Sequence, residues 1–241
     1  MENFKINSEL DIKTLKSEFK KNKSVVIENF LEIKDADKIY NFLVKKMPEE
    51  WWYTSYMNKM EQEEMQAIQR TPENIKDIGK LYKKVYRAFA MQMFSYIFDR
   101  TGNHVEECNC LKCQFDIFIT TDQFKNFIEK ITNIKTTENG EVFASRFTGG
   151  QFLGPHHDEY KGTLNFVYSL SKNWKPEYGG NLYLLEDDYK TIKKVILSSY
   201  NRLALTYMNS PDRKELGTPH FVSQLSNGCV KPRVSITGWI S

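Results

Sequence analysis

The sequence predicts an α+β protein in which a mainly helical first part, residues 1–140, supports an all-β second part, residues 141–241, within one domain. Three observations carry that expectation. Near residue 138 the texture changes, from apolar positions at helical spacing to short runs in which alternate positions are apolar. No Pro/Gly/Ser-rich linker and no internal repeat divides the 241 residues. A chain of this length buries a real core, and 40% hydrophobic with 14% aromatic residues is a globular composition.

Taken in order, residues 8–22 space their apolar side chains as a helix does. The lysines of DIKTLKSEFKKNK (11–23) read as its solvated face. SVVIENFL (24–31) is β-branched and predicts a strand. DADKIYNFLVKKM (35–47) opens with aspartates, which suit a helix N-terminus. EEWWYTSYM (49–57) reads as core packing rather than as a lid over a substrate. Over 75–99, Ile78, Tyr82, Val85, Phe89, Met93 and Ile97 share one stripe and predict a long amphipathic helix. Beyond 138, EVFASRFT, TLNFVYSL, NLYLLED, KKVILS, RLALTYM, HFVSQLS and RVSITGWIS are separated by Gly, Pro, Asn and Asp. Such regularly spaced short strands predict a sandwich or barrel.

Composition narrows the partners. A net charge of +3 gives no reason to expect nucleic acid. MENFKINSEL has no apolar run after a basic start, and AFAMQMFSYIF (88–98) is too short to span a bilayer. The expectation is a soluble cytoplasmic protein with no membrane partner. Three of the four cysteines fall in CNCLKC (108–113) and Cys229 stands alone, which is no disulfide framework and fits a reducing compartment. With His104, residues Cys108, Cys110 and Cys113 read H-x3-C-x-C-x2-C, four potential zinc ligands. Structural zinc sites usually draw on two separated pairs, however, and four ligands within ten residues demand a very tight loop. Reduced structural thiols are therefore expected, with zinc as the alternative.

The chemistry gathers in the β part. GGQFLGPHHDEYKG (149–162) contains His156, His157 and Asp158, and His220 follows at a distance. Two imidazoles and one carboxylate on one face of a metal form the facial triad of non-haem Fe(II) oxygenases, which leaves three coordination positions open. In a strand the H-x-D spacing points His156 and Asp158 to one face and His157 to the other. Alone the spacing is weak, since chance supplies an H-x-D about one time in five at this composition. Arg233 adds to it, because a guanidinium pairs bidentately with a buried carboxylate, and Ser235 lies on the same strand face.

Six segments then occur in a familiar order: HHDE (156–159), NFVYSLSKNW (165–174), GGNLYLLE (179–186), YNRLALT (200–206), PHFVS (219–223) and RVSITGW (233–239). Over residues 141–241, together with VVIENFL (25–31), the chain resembles the 2-oxoglutarate/Fe(II)-dependent dioxygenases, especially their prolyl-hydroxylase-like branch. The resemblance implies a double-stranded β-helix, a jelly-roll barrel with iron at one mouth. It implies His156, Asp158 and His220 as iron ligands, and Arg233, assisted by Ser235, as the site for the distal carboxylate of 2-oxoglutarate. The implied reaction uses O2, with ascorbate as a supporting reductant, and releases succinate and CO2 as it hydroxylates a substrate. A prolyl residue of a protein or peptide is the expected substrate. A free amino acid or other small molecule is the alternative, and a catalytically silent metal-binding jelly roll or a zinc hydrolase are the competing classes. Two positions depart from the pattern: Phe147 stands where a tyrosine is frequent, and Ser169 aligns with a co-substrate tyrosine that Tyr168 misses by one residue.

Overall fold

Asp11 begins the first helix by accepting hydrogen bonds from the Thr14 N–H and hydroxyl at 3.1 and 2.7 Å. Helix α1 (Ile12–Asn22) ends at Lys23, whose φ of 55° breaks the helix, and it buries Phe19. Strand β1 (Ser24–Ile27) is shorter than the predicted 24–31, and helix α2 (Ile33–Asn41), prolonged by a π-helical turn over Phe42–Lys46, starts before Asp35, with Glu32 and not an aspartate at its N-cap. This computed structural model describes residues 4–61, 64–102, 108–158, 161–208 and 217–241.

The next stretch departs from expectation. Trp52–Asn58 is a strand, β2, paired with β3 (Gln66–Gln69), and Trp52 is fully buried, in keeping with core packing. The predicted helix over 75–99 is two elements, α3 (Ile75–Ala90) and β4 (Ser95–Thr101). The helix stops where Gln92 takes a φ of 57° and the Met93 N–H turns back to the Ala88 carbonyl. No glycine or proline marks this break, so the apolar stripe ran on without a stop signal. Helices α4 (Leu111–Thr120) and α5 (Asp122–Thr132) complete the helical layer, with Thr121 capping α5.

Eight strands then build the barrel: β5 (Asn139–Phe147), β6 (Phe152–His156), β7 (Leu164–Leu170), β8 (Leu182–Leu185), β9 (Ile192–Ile196), β10 (Tyr200–Tyr207), β11 (His220–Val222) and β12 (Arg233–Ile240). They pair in the orders β10-β7-β12-β5 and β6-β11-β8-β9. Successive strands thus cross mostly from one sheet to the other, the jelly-roll arrangement of the double-stranded β-helix. Strand β4 joins the layers, because Asp99 and Arg100 pair with β5 while Tyr96 and Ile97 pair with β6. Strand β1 extends the first sheet beyond β10, and β2 with β3 joins through β4, so all four strands of the first part belong to the continuous sheet.

Both faces of the first sheet are buried, and alternation decides which residue meets what. On β12, Val234, Ile236 and Ile240 face the helical layer, where Phe30, Phe115, Phe124, Phe166 and Tyr168 form an aromatic core. Arg233, Thr237 and Trp239 face the barrel interior with Phe98, Phe143 and Phe147. The turn before β8 needs glycine: Gly179 has a φ of 74°, and a Cβ there would lie 2.1 Å from the Gln224 carbonyl oxygen. No helix among the described residues is long and apolar enough to cross a membrane.

Candidate metal centre and co-substrate pocket

Strands β6 and β11 are antiparallel neighbours, and their register sets His156 opposite His220. The two imidazole rings lie 4.4 Å apart by centroid. Each His Nδ1–H donates to a backbone carbonyl two residues earlier, His156 to Gly154 at 2.9 Å and His220 to Thr218 at 3.1 Å. A carbonyl only accepts, so the ring proton sits on Nδ1 and the Nε2 lone pair is left to coordinate. Both Nε2 atoms turn to Asp158, at 3.3 Å for His156 and 3.5 Å for His220. The ligand atoms of the three residues all lie within 4.8 Å of one another, a set that can hold a metal ion.

Strand β6 ends at His156, so strand alternation does not aim Asp158. A hydrogen bond does: the Trp239 indole N–H donates to Asp158 Oδ2 at 3.0 Å, across 81 residues of sequence. Burial would raise the Asp158 carboxyl, but His220 and His156 outweigh it and hold the group below the usual carboxylate range. Burial, with His156 beside it, pulls His220 down to about 4 against the opposing pull of Asp158. A carboxylate and a neutral imidazole are the protonation states that bind metal. His157 leaves this cluster. Its Nε2 meets the Tyr189 hydroxyl, and its Nδ1 lies 3.3 Å from the Gly217 carbonyl.

The cluster opens into a cavity of about 710 Å³ that also takes in Arg233. Phe94, Tyr96, Phe98, Phe143 and Phe147 supply most of its aromatic wall. Arg233 is only 3% exposed. It donates from Nη1 to Ser235 Oγ at 3.1 Å, and its Nε is buried without a hydrogen-bond partner. Burial alone lowers its pKa to about 10. Phe147, the departure from the tyrosine pattern, places its ring 4.9 Å from the guanidinium carbon. Ser235 is fully buried and shares a 2.8 Å hydrogen bond with Ser145. A buried cation with a spare donor and no carboxylate partner among the described residues fits a ligand that brings its own carboxylate.

Strand alternation sends Tyr168 and Ser169 to opposite faces of β7. Tyr168 faces the helical layer, donating to Asn201 Oδ1 at 2.8 Å and stacking on Phe115. Ser169 bonds Ser198 Oγ at 2.8 Å and borders a separate cleft of about 10 Å³ behind Arg233. Neither residue lines the main cavity. Nothing local in the sequence marks Trp239 as the support of Asp158, Ser145 as the neighbour beneath Ser235, or the β4 aromatics Tyr96 and Phe98 as cavity wall. The last two lie in the stretch whose apolar stripe predicts a helix, and their only strand signal is the alternation of SYIFDRT.

Comparisons with known proteins agree with this geometry. Residues 142–241 match the family model of the 2OG-Fe(II) oxygenase superfamily. Comparison with curated proteins gives no match. Among solved structures, an oxidoreductase of the 2OG-Fe(II) oxygenase family from Burkholderia pseudomallei aligns with a TM-score of 0.63 at 10% identity, over 99% of this chain and 93% of that one. A prolyl hydroxylase from Trichoplax adhaerens, solved with a hypoxia-inducible-factor oxygen degradation domain peptide fragment, aligns at 0.54 and 15% identity, over 95% and 88%. The non-haem α-ketoglutarate-dependent epimerase of nogalamycin biosynthesis aligns at 0.54 and 10% identity, over 94% and 80%. At these identities the structural matches speak for the fold. By its residues 142–241 the chain carries the sequence pattern of the 2OG-Fe(II) oxygenase superfamily. It is a 2-oxoglutarate-dependent dioxygenase, an enzyme that uses Fe(II), 2-oxoglutarate and O2.

Proposed function

We propose that His156, Asp158 and His220 hold Fe(II), that Arg233 with Ser235 receives the distal carboxylate of 2-oxoglutarate, and that the enzyme hydroxylates a prolyl residue of a protein or peptide. The observation that carries the assignment of the pocket is the unpaired, buried Arg233 in the same cavity as the His–Asp–His cluster. In this reading the whole chain acts as one catalytic domain, 1–140 as support and 141–241 as core, in the reducing interior of a cell where its four thiols persist.

Bound Fe(II) supplies the O2 activation that couples decarboxylation of 2-oxoglutarate, to succinate and CO2, with substrate hydroxylation. The chain's residues prepare for this. Gly154 and Thr218 fix the imidazole tautomers, Trp239 fixes the carboxylate, and Arg233, lining the same cavity, sets the reach of the co-substrate. The aromatic wall lowers the polarity around the cluster, which strengthens charge interactions there.

The prolyl assignment rests on the sequence resemblance and on likeness to a fold that binds a peptide in the Trichoplax enzyme. Mass spectrometry of proline-containing peptides, incubated with Fe(II), ascorbate and O2, tests it. The expected result is a gain of one oxygen on a prolyl residue that depends on 2-oxoglutarate and is absent in His220→Ala. Oxygen gained only by free amino acids or other small molecules in the same mixture would replace the prolyl reading.

A further inference from the structure

Cys108, Cys110 and Cys113 take no part in the cavity just described. Their sulfurs all lie within 4.8 Å of one another, and Cys110 Sγ is 3.6 Å from Cys113 Sγ. Zinc–sulfur bonds of about 2.3 Å place the sulfurs of a tetrahedral site about 3.8 Å apart. A disulfide needs its sulfurs at about 2.05 Å. The Cys110–Cys113 spacing is thus that of two ligands on one ion and not of a bonded pair, and Cys108 lies within reach of the same ion.

The sequence argued against zinc because the loop would have to be very tight. The start of α4 makes it tight. Cys110 is the N-cap residue, and Cys113 lies three positions on, one turn further along the helix. The Gln114 N–H donates to the Cys110 carbonyl at 2.9 Å, and its side-chain amide donates to the Asn109 carbonyl at 2.8 Å. Downstream, Phe115 and Phe118 are buried among aromatic neighbours, and Lys112 reaches Asp116 and the Val142 carbonyl. Two of the three sulfurs are thus held by a fixed helix start, and Cys108 completes the group from the preceding residues. His104, the fourth member of the sequence pattern, lies outside the described residues. All three cysteines are partly exposed, so an ion from solvent can reach them.

We propose that Cys108, Cys110 and Cys113 form a three-thiolate zinc site, separate from the iron centre, with water as the fourth ligand. Binding replaces three S–H bonds with three Zn–S bonds, releases three protons to solvent and changes no oxidation state. The ion clips the residues before α4 to its first turn, next to the helical core that backs the barrel. The proposal is independent of the assignments made for the iron site.

Cobalt(II) titration of the purified full-length protein tests it, because thiolate ligation gives an intense near-ultraviolet sulfur-to-cobalt absorption that a His–Asp–His site cannot. One equivalent should produce the band in the wild type and in His156→Ala, and zinc should bleach it. Cys110→Ser and Cys113→Ser should each lose most of it. A second measurement needs no variant: zinc should slow modification of three thiols by a thiol reagent at least tenfold, and a chelator should restore the rate. No band in the wild type would overturn the site, as would equal thiol reactivity with and without zinc. So would a Cys110–Cys113 disulfide that forms in air with zinc present.

Discussion

Removing a guanidinium from water costs several kcal/mol unless an anion meets it, and Arg233 is buried with one hydroxyl and an aromatic ring for company. If 2-oxoglutarate supplies that anion, Arg233→Ala should weaken its binding by about 3–5 kcal/mol while Fe(II) affinity stays close to wild type. Arg233→Lys should recover part of the loss, as a point charge without the fork. Calorimetric dissociation constants for both ligands check this, and unchanged 2-oxoglutarate affinity in the alanine variant would remove Arg233 from the pocket. Trp239 acts one step further out. Trp239→Phe keeps an aromatic ring but deletes the N–H that orients Asp158, so metal affinity should fall about 10–100-fold. An undiminished metal affinity in a folded variant would show that the loop alone positions the carboxylate. That His156, Asp158 and His220 gather, with Arg233 in the same cavity, was legible in the sequence because residue type and local spacing carry it. Trp239's task was not, since it arises from a contact between residues 81 apart that only the closed barrel creates.

At the scale of elements, an ion network fastens β2 and its leading turn to β5. Glu49 accepts from Arg146 Nη1 and Nη2, each at 2.7 Å, and from Arg70 Nε at 2.6 Å, while buried Asp99 on β4 takes the same two arginines from the inner side. Arg146, despite the opposing burial, and then Arg70 hold Glu49 down at about 2, against an ordinary value of 4.5. A depressed carboxyl adds stability above its unfolded value and loses it as pH falls toward its folded one. Glu49→Gln should therefore flatten the stability profile between about pH 4.5 and 2 and lower stability modestly at neutral pH, since half of the side chain is exposed. Denaturant unfolding across that range checks it, and parallel wild-type and mutant profiles would contradict it. These elements were also where the sequence misled. The barrel strands β5 and β7–β12 announced themselves by alternation and turn residues, whereas β4 continued the apolar stripe of α3 with no break in residue type. Only pairing with β2, β5 and β6 makes it a strand, and such pairing is a non-local fact.

Across the whole molecule, the two parts of the sequence share one sheet and one core. The aromatic layer of α4 and α5 covers the outer face of β7 and β12, and β4 ties the two barrel sheets together. Expressed alone, residues 142–241 would expose that face and leave β5 and β6 unbridged. The fragment should show no cooperative unfolding transition, whereas the full chain should show one. A cooperative transition in the fragment would make the first part an accessory and not a support.

The central claim is that His156, Asp158 and His220, and not His157, hold the Fe(II) to which 2-oxoglutarate binds. Anaerobic addition of Fe(II) and 2-oxoglutarate tests it most directly, because chelation of the iron by the co-substrate gives a visible charge-transfer absorption. The wild type and His157→Ala should both develop the band, and His156→Ala and His220→Ala should not. A band that survives in His156→Ala or His220→Ala and vanishes in His157→Ala would contradict the account.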